Sequence, residues 1–345
     1  MRVRTVITLL VFAVLGYLVW RNLGDLQALE RTLRQGRPLW VLVAFGLQGL
    51  VLLNGAALYQ ALYKLLHLPI TFKRMLSLSL ATEFVNFTTV GGAAGVGVLL
   101  RDALARGLDS SRVVLANILF TLFNLTWFSL LLIMGLLVLF IRHELKLYEL
   151  LSAGVLLGGT LLMLGGVILA GAKPAWLAAI GRFVAWLING MSDLILKRPV
   201  LEEDDLATWT IDLSRAAAAL RRERTRLLPS SAFTVLTDSL SIIILYTCLR
   251  AFLPADTPLG LGVLIAGYGI GVLFTAVAIT PQGVGMVEGA MGATLVSLGL
   301  PLAEVTLGVL SYRGLSFWLP LLVGALAMRF ALENEPLTKE AEAEQ

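Results

Sequence analysis

Apolar positions come in blocks of about 20 residues from Thr5 to Phe330, parted by short polar links. Nowhere do apolar and polar residues alternate with the period of two that a membrane β-strand requires. The pattern predicts an all-α polytopic membrane protein of about seven transmembrane helices. The expected spans are Thr5 to Trp20, Leu39 to about Leu62 after Pro38, Val113 to Ile141, Leu147 to Ala170, Leu227 to about Phe252, Leu259 to Thr280, and Leu302 to Phe330. The first has no small-x-small cleavage site after its arginines and is read as an uncleaved span. The link Arg21 to Arg37 mixes signs and suits a short surface helix.

Two apolar blocks do not fit a simple crossing. Leu76 to Thr89 carries Glu83 and Asn86, reaches about 21 Å at 1.5 Å per residue, and breaks at V-G-G-A-A-G-V-G, Val90 to Gly97. Basic links flank it on both sides: Lys64, Lys73 and Arg74 before, Arg101, Arg106 and Arg112 after. A re-entrant hairpin from the cytoplasmic side explains both features, provided its turn is enclosed by protein or lines a wet cavity. The second case is Ile279 to Gly289, I-T-P-Q-G-V-G-M-V-E-G, where a proline, three glycines, Gln282 and Glu288 interrupt an apolar stretch before Gly285 to Leu298. At a constant offset of 192 residues, Gly91 aligns with Gly283, Gly107-Leu108 with Gly299-Leu300, and Leu115 with Leu307. Each unit is then a broken, glycine-rich segment, a Gly-Leu turn and a long helix. With one opening from each side of the bilayer, the pair would form an inverted repeat with its site at the midplane.

The remaining chain is one transmembrane domain, residues 1–332, with an in-plane and cytoplasmic helical insertion at 175–226 and an acidic tail, 333–345, read as disordered. Most lysines and arginines fall in the links assigned to the cytoplasm, so both termini are expected there.

Composition narrows the function classes. Apolar residues make up 58% of the 345 and charged residues only 14%, which excludes a soluble protein. The net charge of +4 reports topology rather than a nucleic-acid partner. A lone Cys248, two distant histidines and the absence of a phosphate-binding glycine loop suggest no disulfide, metal, cofactor or ATP site.

Charges inside the membrane are the candidates for function, since each costs roughly 2.5 to 3.5 kcal/mol at a helix centre on insertion scales. Arg313 has a fork that fits a phosphate, with the amides near Gly283 and Gly285 as further donors; its alternative is an ion pair with Glu288 or Asp238. Glu288 is either that partner or a proton or headgroup site. Glu83, beside Asn86, is read as lining a polar cavity or as a snorkelling carboxylate. Asp238 is expected to pack or pair, and Asn117 and Asn124 to bond between helices.

At P-Q-G-V-G-M-V-E-G, followed by Leu300-Pro301-x-x-Glu304, Tyr312-Arg313 and Leu319-Pro320, the chain resembles the flippase-like transmembrane family. That family includes the membrane region of lysylphosphatidylglycerol synthases, the multiple peptide resistance factors. By position, Pro281, Gly283, Gly285, Glu288 and Arg313 match its second motif and Arg101 the arginine closing its first. Val90, Val98 and Val287 stand where the family commonly has a proline, an acidic residue and an arginine.

The resemblance implies an inner-membrane lipid translocase that binds an anionic phospholipid or polyprenyl-linked headgroup in a midplane cavity. Candidate contacts are Arg313, Glu288, Gly283, Gly285, Gln282, Glu83, Asn86, Arg101 and Asp238. No enzyme activity is expected; any driving force would come from an ion gradient through Glu83 or Glu288, or from a partner. Membrane lipids are the expected ligands, with a homo-oligomer or a partner enzyme as compatible assemblies. The alternative is a membrane scaffold or accessory subunit for a lipid- or glycan-transferring enzyme.

Overall fold

A computed structural model describes residues 37–89, 94–172, 224–277 and 281–331, and every regular element among them is helical. The expected first span, the link after it, most of the 175–226 insertion and the tail lie outside the described residues. Pro38 opens α1, Pro38–Leu65. After the Pro69 link, Thr71 caps α2, Phe72–Thr88, its hydroxyl accepting from the Arg74 amide at 3.4 Å. Then come α3 (Val96–Ala105), α4 (Ser110–Ile141), α5 (Leu147–Ala172) and α6 (Arg224–Phe252).

The chain continues through α7 (Leu261–Val277), a 3₁₀ turn at Pro281–Gly283 and α8 (Met286–Ser297). A final rod follows, α9 (Leu302–Arg313), a π turn at Gly314–Trp318 and α10 (Leu319–Ala331). Five of these stretches are long and apolar enough to cross a membrane: α1, Leu147–Ile168 of α5, Pro229–Phe252 of α6, α4, and the rod Leu302–Ala331. Leu42, Phe45, Leu137, Phe140 and Leu162 are exposed on them, as hydrocarbon-facing positions should be.

The structure differs from the sequence reading at two helices. α2 begins at Phe72, four residues earlier than the apolar run, because its first turn carries Lys73 and Arg74 inside the helix. α7 begins at Leu261, two residues later than the expected Leu259, and is described to Val277; residues 278–280 lie outside the described residues. α2 is 17 residues long.

The same sequence offset of 192 residues returns in the backbone. α3 ends with Leu108 N–H donating to Ala103 O at 2.8 Å, and α8 with Leu300 N–H donating to Leu295 O at 3.2 Å. Gly107 and Gly299 sit at the matching left-handed positions, φ 67° and 95°, the close that a Schellman-type C-cap needs. The next helix then starts at Ser110 in one unit and Leu302 in the other, capped by the Asp109 carboxylate in the first and opened by Pro301 in the second.

Packing interlocks the two units. α1 lies on α6, α10 packs on α2, and α4 packs on α7. Each long helix therefore crosses from its own unit to the short helix of the other. The buried side chains divide the same way. One core joins α1, α2, α3 and the start of α4 to Phe317, Trp318, Leu321 and Met328 from the end of the rod. The other joins α6, α7, α8 and α9 to Phe128, Leu132 and Leu139 from the end of α4.

Small residues permit the crossings. A Cβ on Gly324 would stand 2.5 Å from Leu80 O and 2.9 Å from Phe84 Cβ, and one on Gly135 would stand 3.1 Å from Ala266 Cα.

Candidate functional site

The second break is built from backbone that a helix would not tolerate. Pro281 removes a helical N–H donor, and Gln282, Gly283 and Gly285 then take φ of 51°, 66° and 87°. Glycine adopts such angles without strain, whereas Gln282 does so at a cost. The turn aims the Gln282 carbonyl at the end of α9, where Arg313 Nη2 donates to it at 2.9 Å. α8 starts at Met286, and its third residue, Glu288, folds back so that Oε2 accepts from Gly285 N–H at 2.7 Å. Glu288 Oε1 accepts from Arg313 Nε at 2.8 Å. One carboxylate thus caps α8 and holds the arginine.

Arg313 ends α9, and the π turn follows it at once. The wider turn inserts one residue into the helical register, a local feature frequent at functional positions. It brings the Phe317 ring under the guanidinium, 5.2 Å from Cζ to the ring centroid. Phe317 also stacks with Phe87 of α2, centroids 5.7 Å apart and planes at 25°. The 3₁₀ turn also touches α2. The ends of the two broken segments are therefore in contact, with Arg313 at the junction. Its side chain is 9% exposed and that of Glu288 20%. Two of the five guanidinium N–H groups are engaged, and no other acceptor among the described residues is bonded to it.

The first break is organised differently. Val90 to Ala93 lie outside the described residues, but both edges are fixed. Asn86 Oδ1 accepts from Gly95 N–H at 2.7 Å and closes the loop from α2 to α3. A Cβ on Gly95 would stand 2.5 Å from Asn86 Oδ1 and from Thr82 O, so only glycine fits. Asn86 thus works as a clasp. Glu83 sits one turn earlier, its Oε1 3.9 Å from where a Cβ on Gly55 of α1 would be. No hydrogen bond or ion pair joins Glu83 to the described residues. Tyr59 of α1 is its polar neighbour, and the Tyr59 hydroxyl donates to Asn117 Oδ1 at 2.9 Å.

The remaining candidates stand apart from Arg313. Asp238 of α6 is buried and accepts from the Tyr268 hydroxyl at 2.8 Å, so of the two expected partners for Arg313 the structure uses Glu288. Asn124 Nδ2 donates to Phe120 O at 2.7 Å within its own helix, unlike Asn117, which bonds across helices. Arg101 is exposed on α3.

Sequence reasoning missed the buried charge beside Arg101. Asp102 takes Arg74 Nη2 at 2.6 Å and Arg106 Nη1 at 3.4 Å, all three residues 8% exposed or less. Arg74 also donates to the carbonyls of Phe330 and Ala331, capping α10, and Arg106 to Pro69 O. The sequence pattern alone places Arg74 and Arg106 in ordinary cytoplasmic links. The available signal is an aspartate placed four residues before Arg106, at the spacing of a helical ion pair. Phe87 and Phe317 gave no signal, because aromatic residues in apolar runs look like core.

The model of the lysylphosphatidylglycerol synthase transmembrane region matches residues 5–324, nearly the whole chain. The chain belongs to that family. It is accordingly a multi-pass membrane protein, and both breaks and Arg313 fall inside the family match. Comparison with curated proteins gave no match.

Proposed function

We propose that this member of the lysylphosphatidylglycerol synthase transmembrane-region family moves an anionic phospholipid or polyprenyl-linked lipid between leaflets of the inner membrane, without covalent chemistry of its own. The headgroup is held near the midplane between the two broken segments, which are re-entrant from opposite sides, with both chain termini in the cytoplasm. Arg313 binds the phosphate through the part of its fork that Glu288 and Gln282 leave free, and Glu288 fixes its orientation. The supporting observation is the position of Arg313: it bonds the second break and lies over the ring that stacks on the first. A partner enzyme or second copy could supply or receive the lipid.

A second reading has its own support. Both oxygens of Glu288 are engaged, and the pair with Arg313 is largely enclosed. On this reading the pair simply joins α8 to α9, and the chain serves as a scaffold or accessory subunit for a lipid- or glycan-transferring enzyme.

Leaflet exchange of fluorescent phosphatidylglycerol in reconstituted vesicles separates the two. Loss of a charged hydrogen bond worth about 1.5 to 3 kcal/mol should slow exchange roughly ten- to hundredfold in Arg313→Ala. Glu288→Gln should slow it less. Exchange at the wild-type rate in both variants removes the site assignment, and a wild type that exchanges no anionic lipid favours the scaffold.

A further inference from the structure

The two intramembrane glutamates of the candidate site are not equivalent, and their difference assigns a task. Glu288 has both oxygens committed, one to Arg313 and one to the Gly285 amide. Adding a proton to Glu288 would remove the charge that pairs with Arg313. Glu83 has no hydrogen-bond or ionic partner among the described residues. Glu83 is half-buried, and a carboxylate within a membrane-embedded helix that has no protein counter-charge takes one from outside, as a proton or a cation.

The surroundings decide between the two. A metal cation needs several oxygen ligands; Tyr59 Oη donates to Asn117 and Asn86 Oδ1 accepts from Gly95, which leaves the Thr82 hydroxyl, buried without a partner, as the uncommitted side-chain oxygen next to Glu83, too few for a cation shell. No group of three or more potential metal-ligating side chains occurs among the described residues. The elements packed on α2 bring few titratable groups to Glu83. α1 presents Tyr59, the 3₁₀ turn presents none, and the one charge of α10, Arg329, is exposed at its far end. α3 carries Arg101, which is exposed, and Asp102, which is tied to Arg74 and Arg106.

Glu83 is also connected to the headgroup position. Phe87 lies four residues on, along the same face of α2, and stacks on the Phe317 ring that lies under Arg313. A change of charge at Glu83 that shifts α2 is therefore felt at the guanidinium.

We propose that Glu83 carries an exchangeable proton that crosses with the anionic headgroup, and that Glu288 does not. One proton binds the Glu83 carboxylate as the headgroup binds Arg313, and both leave on the other side, so a singly charged lipid crosses without net charge. This rests on the lipid-moving reading above.

The test uses the full chain in phosphatidylcholine vesicles with trace labelled phosphatidylglycerol and an imposed gradient of one pH unit, reading the final distribution between leaflets. One proton per lipid biases that distribution up to about tenfold, the equivalent of 1.36 kcal/mol. The wild type and Glu83→Asp should show the bias. Glu83→Gln should exchange label to an even distribution, and Glu288→Gln should approach the biased end-point more slowly. An even distribution in the wild type, or a bias that persists in Glu83→Gln, overturns the proton assignment and leaves the lipid site standing. A wild type that moves no label removes the lipid reading and the coupling with it. The infrared carboxyl region needs no transport: the difference between wild type and Glu83→Gln should contain a titrating carboxyl band set apart from those of the exposed acids, and Glu288→Gln should retain it. A wild type minus Glu83→Gln difference without that band overturns the assignment independently.

Discussion

Two buried arginine sites do different work at the level of single side chains. Arg74 and Arg106 converge on Asp102, and Arg74 spends its other donors on the last carbonyls of α10. Removing the aspartate would leave two buried cations facing each other, so Asp102→Ala should cost about 3 to 5 kcal/mol. Arg112→Ala, at a pair whose side chains are 43% and 45% exposed, should cost about 1 kcal/mol or less. Thermal unfolding of the detergent-solubilised protein measures both, and equal shifts would mean that the Asp102 cluster is not a lock. Arg313 differs because its partners leave part of the fork unused. Its pairing with a carboxylate was legible in the sequence, since an arginine inside the membrane needs a partner and Glu288 was one of two at hand. The Gln282 carbonyl was not legible, because it is aimed by a backbone angle, φ 51°, that glutamine rarely adopts.

Among the elements, the breaks matter more than the helices. The long apolar runs gave α1, α4, α5 and α6 to within a few residues, because prolines, glycines and charged links punctuate them. The short helices were harder. α2 hides Arg74 in its first turn, and α7 starts two residues inside its apolar run. The repeat left few identities to read, since what the two units share is the turn chemistry at Gly107 and Gly299 and the helix starts that follow.

Helix contact at the crossings rests on missing side chains. Gly324→Ala should push α10 off α2 and cost about 1 to 3 kcal/mol. Gly154→Ala, with nothing within 4 Å, should be neutral or mildly stabilising. Melting temperatures that fall equally for both substitutions would contradict the close α2–α10 crossing.

For the molecule as a whole, the interlock is what joins the two broken segments. Each long helix completes the other unit's core, so neither unit buries its own apolar surface alone. A displacement of α2 is thereby carried to α10 and, through Phe317, to Arg313. The family match and the helical pattern fix the class of protein; the lipid is a proposal that the geometry makes testable. The most direct measurement is native mass spectrometry of the purified chain presented with equal amounts of phosphatidylglycerol and phosphatidylcholine. The account predicts preferential retention of phosphatidylglycerol by the wild type, reduced roughly ten- to hundredfold in Arg313→Ala, with Arg101→Ala unchanged. Equal retention of the two lipids, or a preference that survives Arg313→Ala, would contradict it.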